Sequence, residues 1–219
     1  MVQATESEAR QNAVTPERFA KAKTYQEYIA SIKNNQQKFA DNYEKTQVPE
    51  ELAKRLRALS AKPNGPAKVL VIGEDWCPDV YRGMPVICRI AEAAGWEMRV
   101  VERDQNLDIA EHFKKDGQFL SIPTAIFYTR DFKYITHWIE RPERVTAEMP
   151  EITGPIYAPY SARALQEKYG REPTEEEKAE AAKQRAAAAD QFQATSPHWA
   201  RWRQVTIEDI TEKLEQAVG

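Results

Sequence analysis

The spacing of apolar positions changes partway along the chain, and the change divides it. Phe19, Tyr25, Tyr28, Ile29, Ile32 and Phe39 recur at mostly helical spacing, which predicts one or two helices from Thr15 to about Lys45. Thr15-Pro16 suits a helix start, with Thr as cap and Pro at the first helical position. Val48-Pro49 breaks the pattern, and Leu52, Leu56 and Leu59 then mark a short amphipathic helix. Pro63-Asn64-Gly65-Pro66 is a turn cluster. From Lys68 the period shortens. Lys68 to Ile72 reads as a buried strand, 78 to 94 as a helix closed by Gly95, and Glu97 to Glu102 as a second strand. Leu107 to Lys115 is predicted helical, and Ala125 to Tyr128 and Tyr134 to Ile139 are predicted strands joined through Thr129-Arg130-Asp131. This β-α-β-α-β-β order implies a parallel pair made by a crossover helix, followed by an antiparallel hairpin.

The last third reads differently. Pro142, Pro150, Pro155 and Pro159 suit an extended linker or a surface loop over residues 141–160. Thr174 and Glu177 form a capping box ahead of an Ala- and charge-rich helix to about Gln193, which has a poor core face. Residues 206–218 form a clearer amphipathic helix with Ile207, Ile210, Leu214 and Val218 on one side. The polar residues 1–14 are expected to be disordered at the tip. No internal repeat is visible.

Composition narrows the function classes. With 31 Lys and Arg against 34 Asp and Glu, the net charge is −3, and there is no electrostatic footprint for nucleic acid. Mean hydropathy is −0.70 and no run approaches the roughly 18 apolar residues of a membrane span, so neither nucleic acid nor membrane is an expected partner. The opening residues lack a basic segment followed by an apolar one, and are not expected to be a secretory signal. Two cysteines make no disulfide framework, and a reducing, cytoplasmic setting is expected.

The chemistry concentrates at Trp76-Cys77-Pro78-Asp79-Val80, between the first strand and its helix. A cysteine there meets the helix N-terminus, which favours a thiolate. Glu74, Asp75 and Asp79 oppose it by like charge, and Arg82 offsets one of them if it turns towards the site. The balance predicts a thiol modestly more acidic than a free one. His112, His137 and His198 lack metal-ligand spacing and read as surface or helix-face residues, so no metal and no cofactor are expected. Trp199 and Trp202, with Arg201 and Arg203, are expected to dock the C-terminal segment onto the core.

Together, the strand followed by Trp76-Cys77, Pro85 eight residues on, Asp104-Gln105-Asn106 after the next strand, and Ile122-Pro123-Thr124 before an apolar strand resemble the thioredoxin superfamily. The likeness covers roughly residues 66–140, and 206–218 would supply the closing helix. It implies an α/β fold with a mixed central sheet flanked by helices, carrying N-terminal and C-terminal helical extensions. The implied division is an extension over 1–47, a core over 48–140, and a Pro-rich linker with C-terminal helices over 141–219. It further implies a cis Ile122-Pro123 bond beside Cys77.

The departures from the family are as informative. Val80 stands where the second sulfur of Cys-x-x-Cys would be. Cys88 lies about 16 Å along a regular helix from Cys77, too far for the roughly 4.4–6.8 Å Cα separation of a disulfide, and reads as a buried helix-face residue. The positions of the family's buried carboxylate and lysine fall at Val71 and Val100. The Cys-Gly-Phe-Ser pattern of monothiol glutaredoxins is absent. Two functions stay open. One is thiol-disulfide exchange or mixed-disulfide formation through Cys77, with protein thiols or a low-molecular-weight thiol such as glutathione bound along Trp76, Pro78, Asp79, Val80, Ile122 and Pro123. The other is a non-redox binding or scaffold module with a vestigial cysteine. The oligomeric state is not legible.

Overall fold

The computed structural model describes residues 5–219. They divide into two compact units. One runs to Arg141 and resumes over Arg203–Gly219; the other is Pro142–Trp202.

The first unit is built on a four-stranded sheet: β1 (Lys68–Gly73), β2 (Glu97–Glu102), β3 (Thr124–Tyr128) and β4 (Tyr134–Ile139). Its order is β2-β1-β3-β4. The β1–β2 pair is parallel, and β1–β3 and β3–β4 are antiparallel. This is the crossover followed by a hairpin that the pattern predicts. Val69 to Ile72 and all of β3 are buried, as central strands covered on both faces must be.

Helices surround this sheet: α1 (Glu6–Asn12), α2 (Pro16–Lys21), α3 (Tyr25–Ser31), α4 (Gln36–Lys45), α5 (Glu50–Ser60), α6 (Pro78–Ala94) and α7 (Leu107–Ala110). A 3-10 turn over Glu111–Phe113 follows α7, shortening the helix expected there. Gly95 closes α6 in the left-handed conformation at φ 74°, as predicted. Residues Arg203 to Val218 of α11 (Pro197–Val218) also belong to this unit, and Ile207, Ile210, Leu214 and Val218 join its core.

The N-terminal segment corrects two expectations. Residues 1–4 lie outside the described residues, but the rest of the expected disordered tip contains α1, held by a Thr5–Glu8 capping box. Gln11 on that helix donates to the Phe132 carbonyl and accepts from the Tyr134 N–H. The stretch 15–45 holds three short helices rather than one or two. The breaks follow from the connectors. Lys23 exchanges both backbone hydrogen bonds with Val100 on the outer edge of β2, covering that edge. Asn35 turns the chain at φ 58°.

The second unit contains α8 (Glu143–Tyr157), α9 (Ala162–Tyr169), α10 (Glu175–Thr195) and the start of α11. The linker expected at 141–160 is therefore helical for most of its length. Pro142 sits ahead of α8, where a missing N–H costs nothing, while Pro150 and Pro155 interrupt the ladder without ending it. Within this unit the Trp202 ring meets Phe192, His198 and Trp199. Arg201 forks onto Glu148, which also accepts from the Trp202 ring N–H, and these bonds hold the Glu148 carboxyl down at about 2.

Candidate functional site

Cys77 caps α6 in extended conformation, with Pro78 at the first helical position. Its thiol donates to the Ile122 carbonyl oxygen at 3.8 Å, and the Ile122-Pro123 bond is cis. Two features mark the helix where it passes this loop. Pro85 lies inside α6, where it lacks an N–H to donate. Gly83 faces the proline, since a Cβ there would stand 3.1 Å from Pro123 Cγ.

The loop before Cys77 is pinned from two sides. Asp75 Oδ2 accepts from the Lys33 and Asn34 backbone N–H groups, both at 3.0 Å, and Asn35 Nδ2 donates to the Asp75 carbonyl at 2.9 Å. Burial acts to raise the Asp75 carboxyl, but the bonds from Asn34 and Lys33 prevail and hold it below the usual range. Glu74 Oε1 accepts from the Asp104 N–H at 2.8 Å. Burial prevails at Glu74 and raises its carboxyl.

The expected balance at Cys77 is overturned. The residue is 9% exposed, and burial pushes its thiol above the ordinary value. The Val80 and Asp79 amides at the helix start act to lower it, while the Asp79 and Glu140 carboxylates raise it. The Arg82 guanidinium lies over the Tyr81 ring, 5.6 Å from the centroid. The cation on Asp79 is Arg141, with Nε at 3.1 Å and Nη2 at 2.5 Å from the two carboxylate oxygens. Arg141 and Glu140 follow β4 and were not singled out by the sequence. Only the proximity of the strand after the cis-proline loop would have flagged them.

Around the mouth, Trp76 is 49% exposed and Phe119 59% exposed. The Arg103 guanidinium lies 5.2 Å from the Trp76 ring centroid and donates to the Leu120 carbonyl. Phe119 projects from a tight turn through Asp116 and Gly117, both at positive φ. Pro78 is exposed, whereas Val80 and Ile122 are buried.

The apolar residues at the positions of the family's buried carboxylate and lysine are equally visible. Val71 and Val100 are paired in register across β1 and β2, both at 0% exposure. Cys88 is buried on α6, and burial beside Glu92 pushes its thiol far above the ordinary value. His137 is neither a surface nor a helix-face residue. It lies on β4, half-buried, with Nδ1 2.6 Å from the Tyr134 hydroxyl. Among the described residues, no group of His, Cys, Asp and Glu side chains could hold a metal ion, and no helix is long and apolar enough to cross a membrane.

A cysteine at a helix start, facing a cis-proline loop on a β2-β1-β3-β4 sheet, defines a thioredoxin-like protein. A thioredoxin family model matches residues 22–153, and the chain belongs to that family. Among solved structures, a protein of unknown function from Pseudomonas aeruginosa aligns at 15% identity over 93% of this chain and 99% of its own, with a TM-score of 0.57. An HIV epitope-scaffold aligns at 19% identity over 59% of this chain and 79% of its own, with a TM-score of 0.50. Both likenesses concern the fold. No curated protein matches the sequence.

Proposed function

We propose that this thioredoxin-like protein acts through Cys77 alone, forming mixed disulfides that an external thiol resolves. The observation that carries this is the position of the Cys77 sulfur, 3.8 Å from the Ile122 carbonyl beside the cis-proline. In the first step Cys77 releases its proton to solvent and the thiolate attacks one sulfur of a protein or low-molecular-weight disulfide. That S–S bond breaks, and the departing thiolate takes up a proton. The mixed disulfide then yields to a second thiol, such as glutathione, because Val80 offers no sulfur and Cys88 is buried. The partner lies along Trp76, Pro78 and Pro123, with backbone pairing at Ile122. The setting is a reducing compartment that supplies the second thiol.

A non-redox binding module is the competing reading. It is favoured by the raised Cys77 thiol and by Val71, Val80 and Val100 at the positions of the family's redox machinery. Capture of partners by the natural protein and by Cys77→Ser separates the two. Mixed-disulfide function requires a captured set that depends on Cys77 and is released by reductant. The same set on the serine variant establishes the binding module.

A further inference from the structure

Four charged side chains form a linear array, three of which, Asp79, Glu140 and Arg141, act electrostatically on Cys77. Lys115 Nζ lies 2.5 Å from Glu140 Oε2, Glu140 Oε1 lies 2.7 Å from Arg141 Nη2, and Arg141 forks onto Asp79. Three members are largely shielded: the Asp79, Glu140 and Arg141 side chains are 18%, 17% and 21% exposed. The array is also tied to the Cys77 helix start and the cis-proline loop by backbone. Asp79 lies in the first turn of α6, and the Glu140 N–H donates to the Pro123 carbonyl at 2.7 Å. Glu140 adopts φ 67°, a left-handed conformation that a glutamate rarely takes. That conformation accompanies the turn of the chain from β4 into Arg141.

We propose that Arg141 is a positioning residue for the Cys77 thiol: by clamping Asp79 and pairing with Glu140, it offsets two carboxylates beside the sulfur and sets how readily the thiol reacts. The proposal rests on the mixed-disulfide reading for its biological meaning, but it concerns the chemistry of the sulfur itself. The groups that bear on Cys77 are Asp79 from α6, Glu140 and Arg141 from the end of β4, and the buried Tyr28 hydroxyl of α3. Three further charges on the flanking loops are engaged elsewhere. Glu74 accepts from the Asp104 amide, Asp75 from Asn34, and Arg103 pairs with Asp104. Lys115 reaches the array only through Glu140. Removing the Arg141 charge therefore leaves two acids against one lysine, and like charge disfavours a thiolate.

The test is the pH dependence of iodoacetamide alkylation at Cys77 in the full chain with Cys88→Ser, read by mass spectrometry. Arg141→Gln is expected to move the half-point upward by about one unit, slowing alkylation about tenfold at a fixed pH below it. Asp79→Asn is expected to move it downward, and the double variant to return it towards the starting value. Arg141→Lys, which keeps the charge but loses the fork, is expected to fall between. An unshifted profile in folded Arg141→Gln, or a shift that Asp79→Asn does not relieve, overturns the proposal. If Arg141→Gln does not fold, Asp79→Asn alone decides, and a half-point that fails to fall overturns it. Partner capture is a separate readout: its loss in the natural protein defeats the mixed-disulfide reading while leaving the alkylation result standing.

Discussion

The Cys77 thiol donates to the Ile122 carbonyl, and the helix position one turn on is filled by Val80, a fully buried residue with no sulfur. Val80→Cys tests what that replacement removed. The new sulfur would start the chemistry that the Cys-x-x-Cys members of the family carry out. Mild oxidation of this variant is expected to consume both thiols in an intramolecular bond, whereas the natural protein keeps Cys77 free for intermolecular partners. Free-thiol titration before and after oxidation reads the outcome. An unchanged count in the variant would show that the α6 start does not hold the two positions in bonding geometry.

Cys88 is expected to be inert in the folded protein. It is 4% exposed, and its thiol bears on Glu92 Oε1 at 3.7 Å. Alkylation followed by peptide mapping is expected to label Cys88 only after denaturation. Labelling of Cys88 at a rate matching Cys77 under native conditions would contradict its placement.

The short helices before the sheet are part of the fold, and Phe39 tests this. Its ring is fully buried and stands edge-on to Tyr28 at 5.9 Å and to Tyr81 at 6.3 Å. Phe39→Ala is expected to cost about 3–5 kcal/mol of unfolding free energy in denaturant titration. A loss below about 1 kcal/mol, the size of a surface change, would mean that α3 and α4 are dispensable.

His137 sets an acid sensitivity. Burial, assisted by the positive charges of Arg10 and Lys213, holds its imidazole at about 4 rather than 6.5. Between those values the unfolded chain binds the proton and the folded chain does not, so stability falls as pH drops from 6.5 towards 4. Above that window the group contributes no slope. His137→Gln is expected to flatten this part of the melting-temperature profile, and an unchanged slope would assign the acid sensitivity to the carboxylates.

How much of this was legible depended on where the signal resides. The strands and α6 were readable because Val69 to Ile72 and Ala125 to Tyr128 are continuous apolar runs, and because Pro78 and Gly95 mark the ends of the helix. Cys77 and Pro123 were readable because neighbouring landmarks share their spacing with the family. The Asp79–Arg141 fork was not readable: 62 residues separate its partners, and only the sheet order brings them together. The breaks in 15–45 were hidden because Lys23 pairs with β2 through its backbone, which leaves no trace in side-chain pattern. The sign of the Cys77 shift was misjudged because burial, its largest cause, cannot be weighed without coordinates. The α8 helix is hidden because four prolines over 141–160 suit an extended linker or a surface loop, while two of them lie inside the helix.

The central claim is that Cys77 is a working thiol. Its most direct test is the intact mass of the folded Cys88→Ser protein after incubation with a small disulfide such as oxidised glutathione. The expected result is a single mixed-disulfide adduct that maps to Cys77, forms faster as pH rises, and is reversed by an added thiol. A folded protein that stays unmodified, while the same chain in denaturant takes up the adduct, would contradict it.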